Sequence, residues 1–327
     1  MKYLIADITN MLYRTYFGNR DAQIEPELAL HMSLMTLNKF HRQFSPTQTI
    51  LAFDRSSWRK TYTKSDECYS PKVYKSNRRL KQTPADEEKH RRFLEHIREF
   101  EEMIRENTGI VCMAGKDLEA DDIIAGLVRA YGEDPEDELD ELIIISRDRD
   151  LAQLQGKGRD TFYPHITQYD PFTDKKITIE SAIKDLFKIK DKKPYPDEYV
   201  NTEYFLYCKC LRGDTSDFVQ SAYPGIRRTR INKTFDNPFE KTNMLKETWS
   251  DPNGREFSVE KLMKEGNLLM NLRDQPKVIQ TRIFKTILEE QENVGMFDYF
   301  EFGKFLARNK LERINKSLNN FIKLLNG

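Results

Sequence analysis

The sequence predicts an α/β protein: a central, mainly parallel sheet flanked by helices, with a mostly helical region after it. Short apolar runs of strand length recur through the first half of the chain, several ending in an aspartate. Segments with helical spacing separate them, the alternation that builds parallel sheets. After a Lys/Asp/Pro-rich break at 188–196, helical signals dominate. The expected division is therefore an α/β domain over 1–190 and a helical domain over 191–327.

Taken in order, Lys2-Tyr-Leu-Ile-Ala-Asp7 reads as a buried strand. Asp7 stands at its carboxyl end, where open α/β sheets bind ligands. Residues 27–44 carry Leu30, Leu34, Leu37, Phe40 and Phe44 at helical spacing, and Thr49-Ile-Leu-Ala-Phe-Asp54 repeats the strand-then-acid pattern. Residues 58–92 change character. Trp58, Arg59, Lys60, Tyr62, Tyr69, Tyr74, Lys75, Arg78 and Arg79 interleave bases with rings, and acids are almost absent until Asp86. Bases neutralise phosphates, and ring faces stack on unpaired bases at about 1–3 kcal/mol each. The plainer reading is a solvated basic loop with a few anchoring rings. Residues 86–106 read as a charged helix with the stripe Phe93, Leu94, Ile97, Phe100 and Ile104, and 109–113 as another strand.

Asp117-Leu-Glu-Ala-Asp-Asp122 opens a buried helix that runs on as Ile123-Ile-Ala-Gly-Leu-Val128. Asp117 is expected at the N-cap, with Glu119, Asp121 and Asp122 in the first turn. A helix dipole favours each acid by about 0.3–1 kcal/mol, too little to hold three carboxylates side by side. Close like charges raise one another's pKa unless a cation lies between them. Residues 134–140 read as an acidic loop without chemistry. The strand Glu141-Leu-Ile-Ile-Ile-Ser146 leads into Arg147-Asp148-Arg149-Asp150, two more acids at a strand-to-helix junction. Short strands surround the turn Pro171-Phe-Thr-Asp174.

In the helical region, 201–211 leads into Arg212-Gly-Asp214-Thr-Ser-Asp217, whose acids share a face if helical. A basic turn with Arg227, Arg228 and Arg230 follows, then helices near 261–272, 276–290, 297–306 and 313–325.

Composition narrows the class. The 327 residues hold 53 basic and 53 acidic side chains, so net charge names no partner, whereas their separation along the chain does. The four cysteines lack zinc spacing; Cys208 and Cys210 fall in one helix and read as reduced thiols of a cytoplasmic protein. No signal peptide is expected, and no apolar run approaches about 18 residues, so no membrane role is expected. The phosphate-loop pattern is missing, which argues against ATP hydrolysis. The five histidines follow no ligand or triad spacing.

The acids Asp7, Asp54, Glu119, Asp121, Asp122, Asp148, Asp150, Asp214 and Asp217 sit mostly at strand ends and helix starts, which converge on one crevice. Such a pocket requires hard, oxygen-preferring cations; Mg²⁺ fits best and Mn²⁺ is expected to substitute. Two ions about 4 Å apart would stabilise attacking and leaving oxygens of a phosphodiester displacement, with water as nucleophile.

The chain resembles the structure-specific 5′-nucleases, the flap endonucleases and 5′→3′ exonucleases, and is most similar to the RNase H of T-even bacteriophages. Ile5-Ala-Asp7, Phe53-Asp54 with Trp58-Arg59, Tyr74-Lys75-Ser-Asn-Arg78, Leu118-Glu-Ala-Asp-Asp122, Ile145-Ser-Arg-Asp148-Arg-Asp150 and Leu211-Arg-Gly-Asp214-Thr-Ser-Asp217 carry the resemblance, nearly end to end. It implies a SAF/PIN-like nuclease domain with a helical arch near 58–92 and a helical duplex-binding domain. Asp7, Asp54, Glu119 and Asp121 match acids of a first metal site; Asp122, Asp148, Asp150, Asp214 and Asp217 match those nearer a second. Lys75 matches a lysine that contacts the scissile phosphate, and Arg78 its basic neighbour. Arg59, Tyr74, Lys75, Arg78 and Arg79 are the expected nucleic-acid contacts.

One departure stands out. Phe218 replaces the Asn that most relatives carry, and Ala222-Tyr-Pro-Gly-Ile-Arg227 has one glycine, so Arg227, Arg228 and Arg230 are expected to supply the duplex phosphate contact. The implied activity is removal of RNA primers or 5′ flaps from DNA or RNA–DNA duplexes. The implied setting is a monomer in the host bacterial cytoplasm, with a single-stranded-DNA-binding replication protein as a partner of the C-terminal domain. Two alternatives remain open: a PIN-like endoribonuclease, and a non-catalytic DNA-binding replication factor.

Overall fold

Strand β1 (Lys2–Asp7) is almost wholly buried, and alternate residues feed two different cores. Leu4 and Ala6 enter one; Tyr3 and Ile5 enter the other. The computed structural model describes residues 1–18, 25–81, 83–132, 140–190 and 194–327, with every side chain among them except those of 79–81, 84 and 85. β1 lies between β2 (Gln48–Ala52) and β4 (Glu141–Ile145), both parallel to it, and β3 (Val111–Met113) extends the sheet beyond β2. A two-stranded hairpin, β5 (Gly156–Lys157) and β6 (Thr161–Phe162), stands apart. β7 (Ile166–Tyr169) pairs in parallel with β4, and β8 (Lys176–Ile177) closes that edge antiparallel. The order β3-β2-β1-β4-β7-β8 changes direction at β1. The carboxyl ends of β1 and β4 therefore flank the switch point at which such sheets bind ligands.

Helices cover both faces, as the periodicity predicts. On one side lie α1 (Ile8–Phe17), α2 (Pro26–Phe44) and, beyond the short α3 (Trp58–Tyr62), α4 (Pro84–Asn107). Thr83 and Asp86 form a capping box that starts α4, and Phe93, Ile97, Phe100 and Ile104 bury its apolar stripe. Each such side chain contributes about 1.5–3 kcal/mol when fully buried. α5 (Ala120–Tyr131) covers the opposite face.

Past the sheet, α6 (Ile179–Leu186), α7 (Thr202–Arg212), α8 (Arg228–Asp236), α9 (Pro238–Leu245), a hairpin of β9 (Thr248–Ser250) and β10 (Glu256–Ser258), and α10 (Val259–Met270) follow. Tyr204, Phe205, Leu211, Ile231 and Phe235 centre their separate core. The chain then returns. α11 (Lys277–Glu292) lays Ile279, Ile283 and Ile287 into the core of α5. Gly126 permits this approach, since a Cβ there would lie 2.2 Å from Ile283 Cγ2. α12 (Tyr299–Arg308), α13 (Glu312–Lys316) and α14 (Ile322–Leu325) put Phe302, Phe305, Ile314 and Leu324 beside α2 and α4. From Leu272 onward the chain thus packs into the α/β layers rather than the helical core.

The break expected at 188–196 includes 191–193, and the acidic loop at 134–140 includes 134–139, which lie outside the described residues. No helix among the described residues is long and apolar enough to cross a membrane.

Candidate active site

The tips of neighbouring strands are pinned together at the switch point. Asp7 ends β1 and caps α1, its Oδ1 accepting from the Asn10 amide at 3.0 Å. Its Oδ2 accepts from Ser146 Oγ at 3.0 Å, and that hydroxyl in turn accepts from the Asp148 amide at 3.1 Å. Asp54 follows β2 and accepts from the Ala120 amide at 2.7 Å, at the start of α5. Asp121 sits in the first turn of that helix. Asp7, Asp54, Asp121 and Asp148 make up an open group: among the described residues no Lys, Arg or His forms an ion pair with any of them. Neighbouring acids act on them instead, with Lys75 opposing from a distance. Burial, then the charge of Asp54, pushes Asp7 up to about 8. Desolvation by the crevice walls and then Glu119 raise Asp54 although its side chain stays open to solvent, and desolvation and Asp148 raise the half-buried Asp121, with Lys75 opposing both.

The remaining acids carry their own cations. Glu119 accepts from Ser57 Oγ at 2.6 Å, from Lys75 Nζ at 2.5 Å and from Arg59 at 3.0 Å. Burial alone would raise Glu119, but Lys75 and Arg59 hold it near 2. Asp217 accepts from Tyr74 Oη at 2.8 Å and Arg78 at 2.7 Å, with Lys75 Nζ 3.6 Å away. Asp150 and Asp214 share Lys209, whose ammonium donates to both oxygens of Asp150 and, at 3.0 Å, to Asp214 Oδ2. Desolvation, helped by Asp148, outweighs Lys209 at Asp150 and leaves it at about 6, whereas Lys209 prevails over desolvation at Asp214 and keeps it below its ordinary value.

Several expected roles change. Glu119, not Asp117, is the N-cap of α5, because a cap needs extended backbone and Asp117 is left-handed with φ 59°. Asp117 instead accepts from Ser56 Oγ at 2.8 Å. Asp122 is 0% exposed and turns away from the open group. Arg59 reaches it at 2.8 and 3.1 Å, and Gln275 donates to it as well, so it is a neutralised core group rather than a free ligand. Arg59 itself is 3% exposed and donates Nε to the Leu269 carbonyl at 2.7 Å, which removes it from any nucleic-acid surface. The Tyr74 ring is buried and cannot stack on a base.

Asp214 and Asp217 do not share a helix face. They meet in a turn closed by the Asp214–Val219 bridge, with Asp214 Oδ1 accepting from the amides of Ser216 and Asp217 at 2.7 and 3.1 Å. That turn presses on the basic segment: the Lys75 amide donates to the Asp217 carbonyl at 2.8 Å, and Lys75 and Phe218 are both left-handed, at φ 56° and 60°. Non-glycine residues hold such backbone only where the surroundings enforce it. Arg227 and Arg228 are exposed, while Arg230 is tied to Glu247 and Tyr223. The Arg79 side chain lies outside the described ones.

Sequence reasoning misses Ser146, Ser57, Gln275 and, above all, Lys209. A lone lysine within the apolar run of α7 is its only signal. Among the described residues, no three acidic, histidine or cysteine side chains close into a ready metal cage. The donor set is nevertheless all oxygen and holds more negative charge than its neighbours cancel, a deficit that a hard divalent cation satisfies.

Comparison with known proteins follows the same direction. A family model described as the 5′-3′ exonuclease, N-terminal resolvase-like domain, matches residues 2–186. No curated protein sequence matches the chain. A bacteriophage T5 protein co-crystallised with metal ions shares 18% identity and a TM-score of 0.61, over 88% of this chain and 99% of that one. A bacteriophage T5 flap endonuclease variant, solved as a pseudo-enzyme–product complex with DNA and metal ions, shares 17% identity and a TM-score of 0.61, over 90% and 99%. A mutant of the T5 5′-exonuclease shares 17% identity and a TM-score of 0.52, over 88% and 98%. At these identities the likeness concerns the fold.

Proposed function

The chain belongs to the 5′-3′ exonuclease family, and on that premise we propose a divalent-metal-dependent nuclease that cuts phosphodiesters near the 5′ ends of DNA and RNA–DNA duplexes and flaps. One observation carries the reading. Four carboxylates without an ion-pair partner among the described residues gather at the switch point of the sheet, and desolvation together with the charges of neighbouring acids lifts the pKa of Asp7, Asp54 and Asp121 despite the nearby Lys75. A protein that only bound nucleic acid would gain nothing from them, since carboxylates repel phosphate unless a cation intervenes.

Asp7, Asp54, Asp121 and Asp148, with Glu119, Asp150, Asp214 and Asp217 around them, are the residues that would hold two Mg²⁺ ions. Bound there, the ions would supply Lewis acidity and an activated water. The chain's own part is positional. Ser146 holds the carboxylate of Asp7 and the backbone of Asp148 in fixed relation, and the Ala120 amide fixes Asp54. Lys75, now on Glu119 and Asp217, has the charge and reach to meet negative charge growing on the scissile phosphate; a preorganised donor of this kind contributes several kcal/mol to a transition state. Arg78, half-exposed on Asp217, is the second candidate for that contact. Primer removal in a phage-infected cell, the likeness to T-even RNases H and a single-stranded-DNA-binding partner are part of the same proposal and rest on the sequence motifs.

A 5′-labelled flap and an RNA–DNA duplex, each incubated with protein and Mg²⁺, test the reading. Short 5′ products are expected from wild type and about 10²–10³-fold slower release from Lys75→Ala, the loss typical of a preorganised donor. Asp150→Asn should cleave at least as poorly yet still bind DNA. Undiminished cleavage by both variants clears these residues of the roles given them.

A further inference from the structure

Resting on the metal-dependent reading above, we propose that Lys209 is a built-in counter-ion at the second metal position. Its ammonium holds the Asp150–Asp214 pair closed, and a divalent cation enters there only by displacing it. Lys209 lies mid-helix in α7 and is 4% exposed. Its Nζ takes both oxygens of Asp150 and Asp214 Oδ2. The other Asp214 oxygen is already occupied by the Ser216 amide at 2.7 Å, Ser216 Oγ at 2.6 Å and the Asp217 amide at 3.1 Å. No oxygen of the pair is left without a donor.

The open group is built the opposite way. Asp121 and Asp148 have no ion-pair partner among the described residues; Asp148 Oδ1 accepts only from the Asp150 amide at 2.9 Å and Lys75 acts on Asp121 from a distance, so a cation there displaces no ammonium. Burial of an ammonium is unfavourable unless carboxylates compensate it, and among the described residues Lys209 has these two. The two halves of the pocket therefore differ in their first ion. One half awaits a cation; the other has one supplied by the chain. Loading is ordered as a consequence: a tight ion at Asp7, Asp54, Asp121 and Asp148, then a weaker one that must exchange with Lys209.

Calorimetric titration of the full chain with Mn²⁺, without nucleic acid, tests this. Wild type is expected to bind one tight and one weaker ion. Lys209→Met and Lys209→Gln should tighten the weaker site by about tenfold or more and leave the tight one unchanged, while Lys209→Arg keeps the wild-type pattern. Lys209→Gln retains a polar donor and guards against a Met variant that fails to fold. Melting supplies the second readout. Both neutral variants should melt lower without metal and gain more than wild type from saturating Mn²⁺. A lysine that merely props the helix would lower melting equally with and without Mn²⁺; that result, or an unchanged weaker affinity, overturns the proposal. Two ions bound normally in every variant reject the role of Lys209 alone. No Mn²⁺ uptake by any form rejects the metal-dependent reading with it.

Discussion

Asp7 shows how a single buried carboxyl links the pocket to stability. Its pKa rises from 3.8 to about 8 through burial and then Asp54. The folded state thus keeps a proton that the unfolded chain releases in that interval, so stability falls as pH rises from about 4 to about 8 and levels off above. Asp7→Asn mimics the protonated acid. Without metal, that variant is expected to melt a few degrees higher than wild type at pH 8, with the gap closing toward pH 4. Scanning calorimetry in chelator checks it, and a gap independent of pH would show that Asp7 ionises normally. Arg59 makes the converse case. Removing it strands Asp122, which is 0% exposed, so Arg59→Met should cost about 3–5 kcal/mol in urea unfolding. Adding Asp122→Leu should recover part of that loss. Full stability in the single variant would mean that the pair is not buried as described.

Between elements, the turn at 213–219 and the segment at 58–78 act as one unit. Lys75 and Phe218 both hold left-handed backbone, the Lys75 amide donates to the Asp217 carbonyl, and Tyr74, Lys75 and Arg78 all address the Asp217 carboxylate. The basic turn leading into α8 is separate and faces solvent. Arg227 and Arg228 are exposed there, the Arg228 guanidinium lying 5.9 Å from the centre of the Tyr195 ring, while Arg230 is engaged with Glu247. Reversing Arg227 and Arg228 to Glu should leave melting unchanged, weaken DNA binding across all sequences, and flatten the salt dependence by about one phosphate per arginine. An unaltered salt slope would remove this turn from the duplex interface.

For the molecule as a whole, the chain beyond Leu272 seals both faces of the sheet. Ile283 and Ile287 lie on α5, and Phe302, Phe305 and Leu324 beside α2 and α4. A chain ended at residue 272 should therefore expose both cores and fail to fold cooperatively, with near-UV dichroism lost and aggregation on gel filtration. A soluble, sharply melting fragment would show that the α/β layers stand without their C-terminal cover.

The strands, their order of appearance and the aspartates at their tips were legible because a buried strand is local. Apolar runs of five or six residues, each followed within three residues by an acid, suffice to place Asp7, Asp54 and Asp148 at the carboxyl ends of neighbouring strands. Which charges are neutralised was not legible. Arg59 meets Asp122 across 63 residues and Lys209 meets Asp150 across 59. Nothing in the composition of residues 58–92 separates a buried arginine from one that greets a phosphate. Local pattern sets where a carboxylate emerges from the sheet; only the closing of distant segments decides whether it emerges bare or already paired, because Coulomb attraction depends on distance in space and not along the chain.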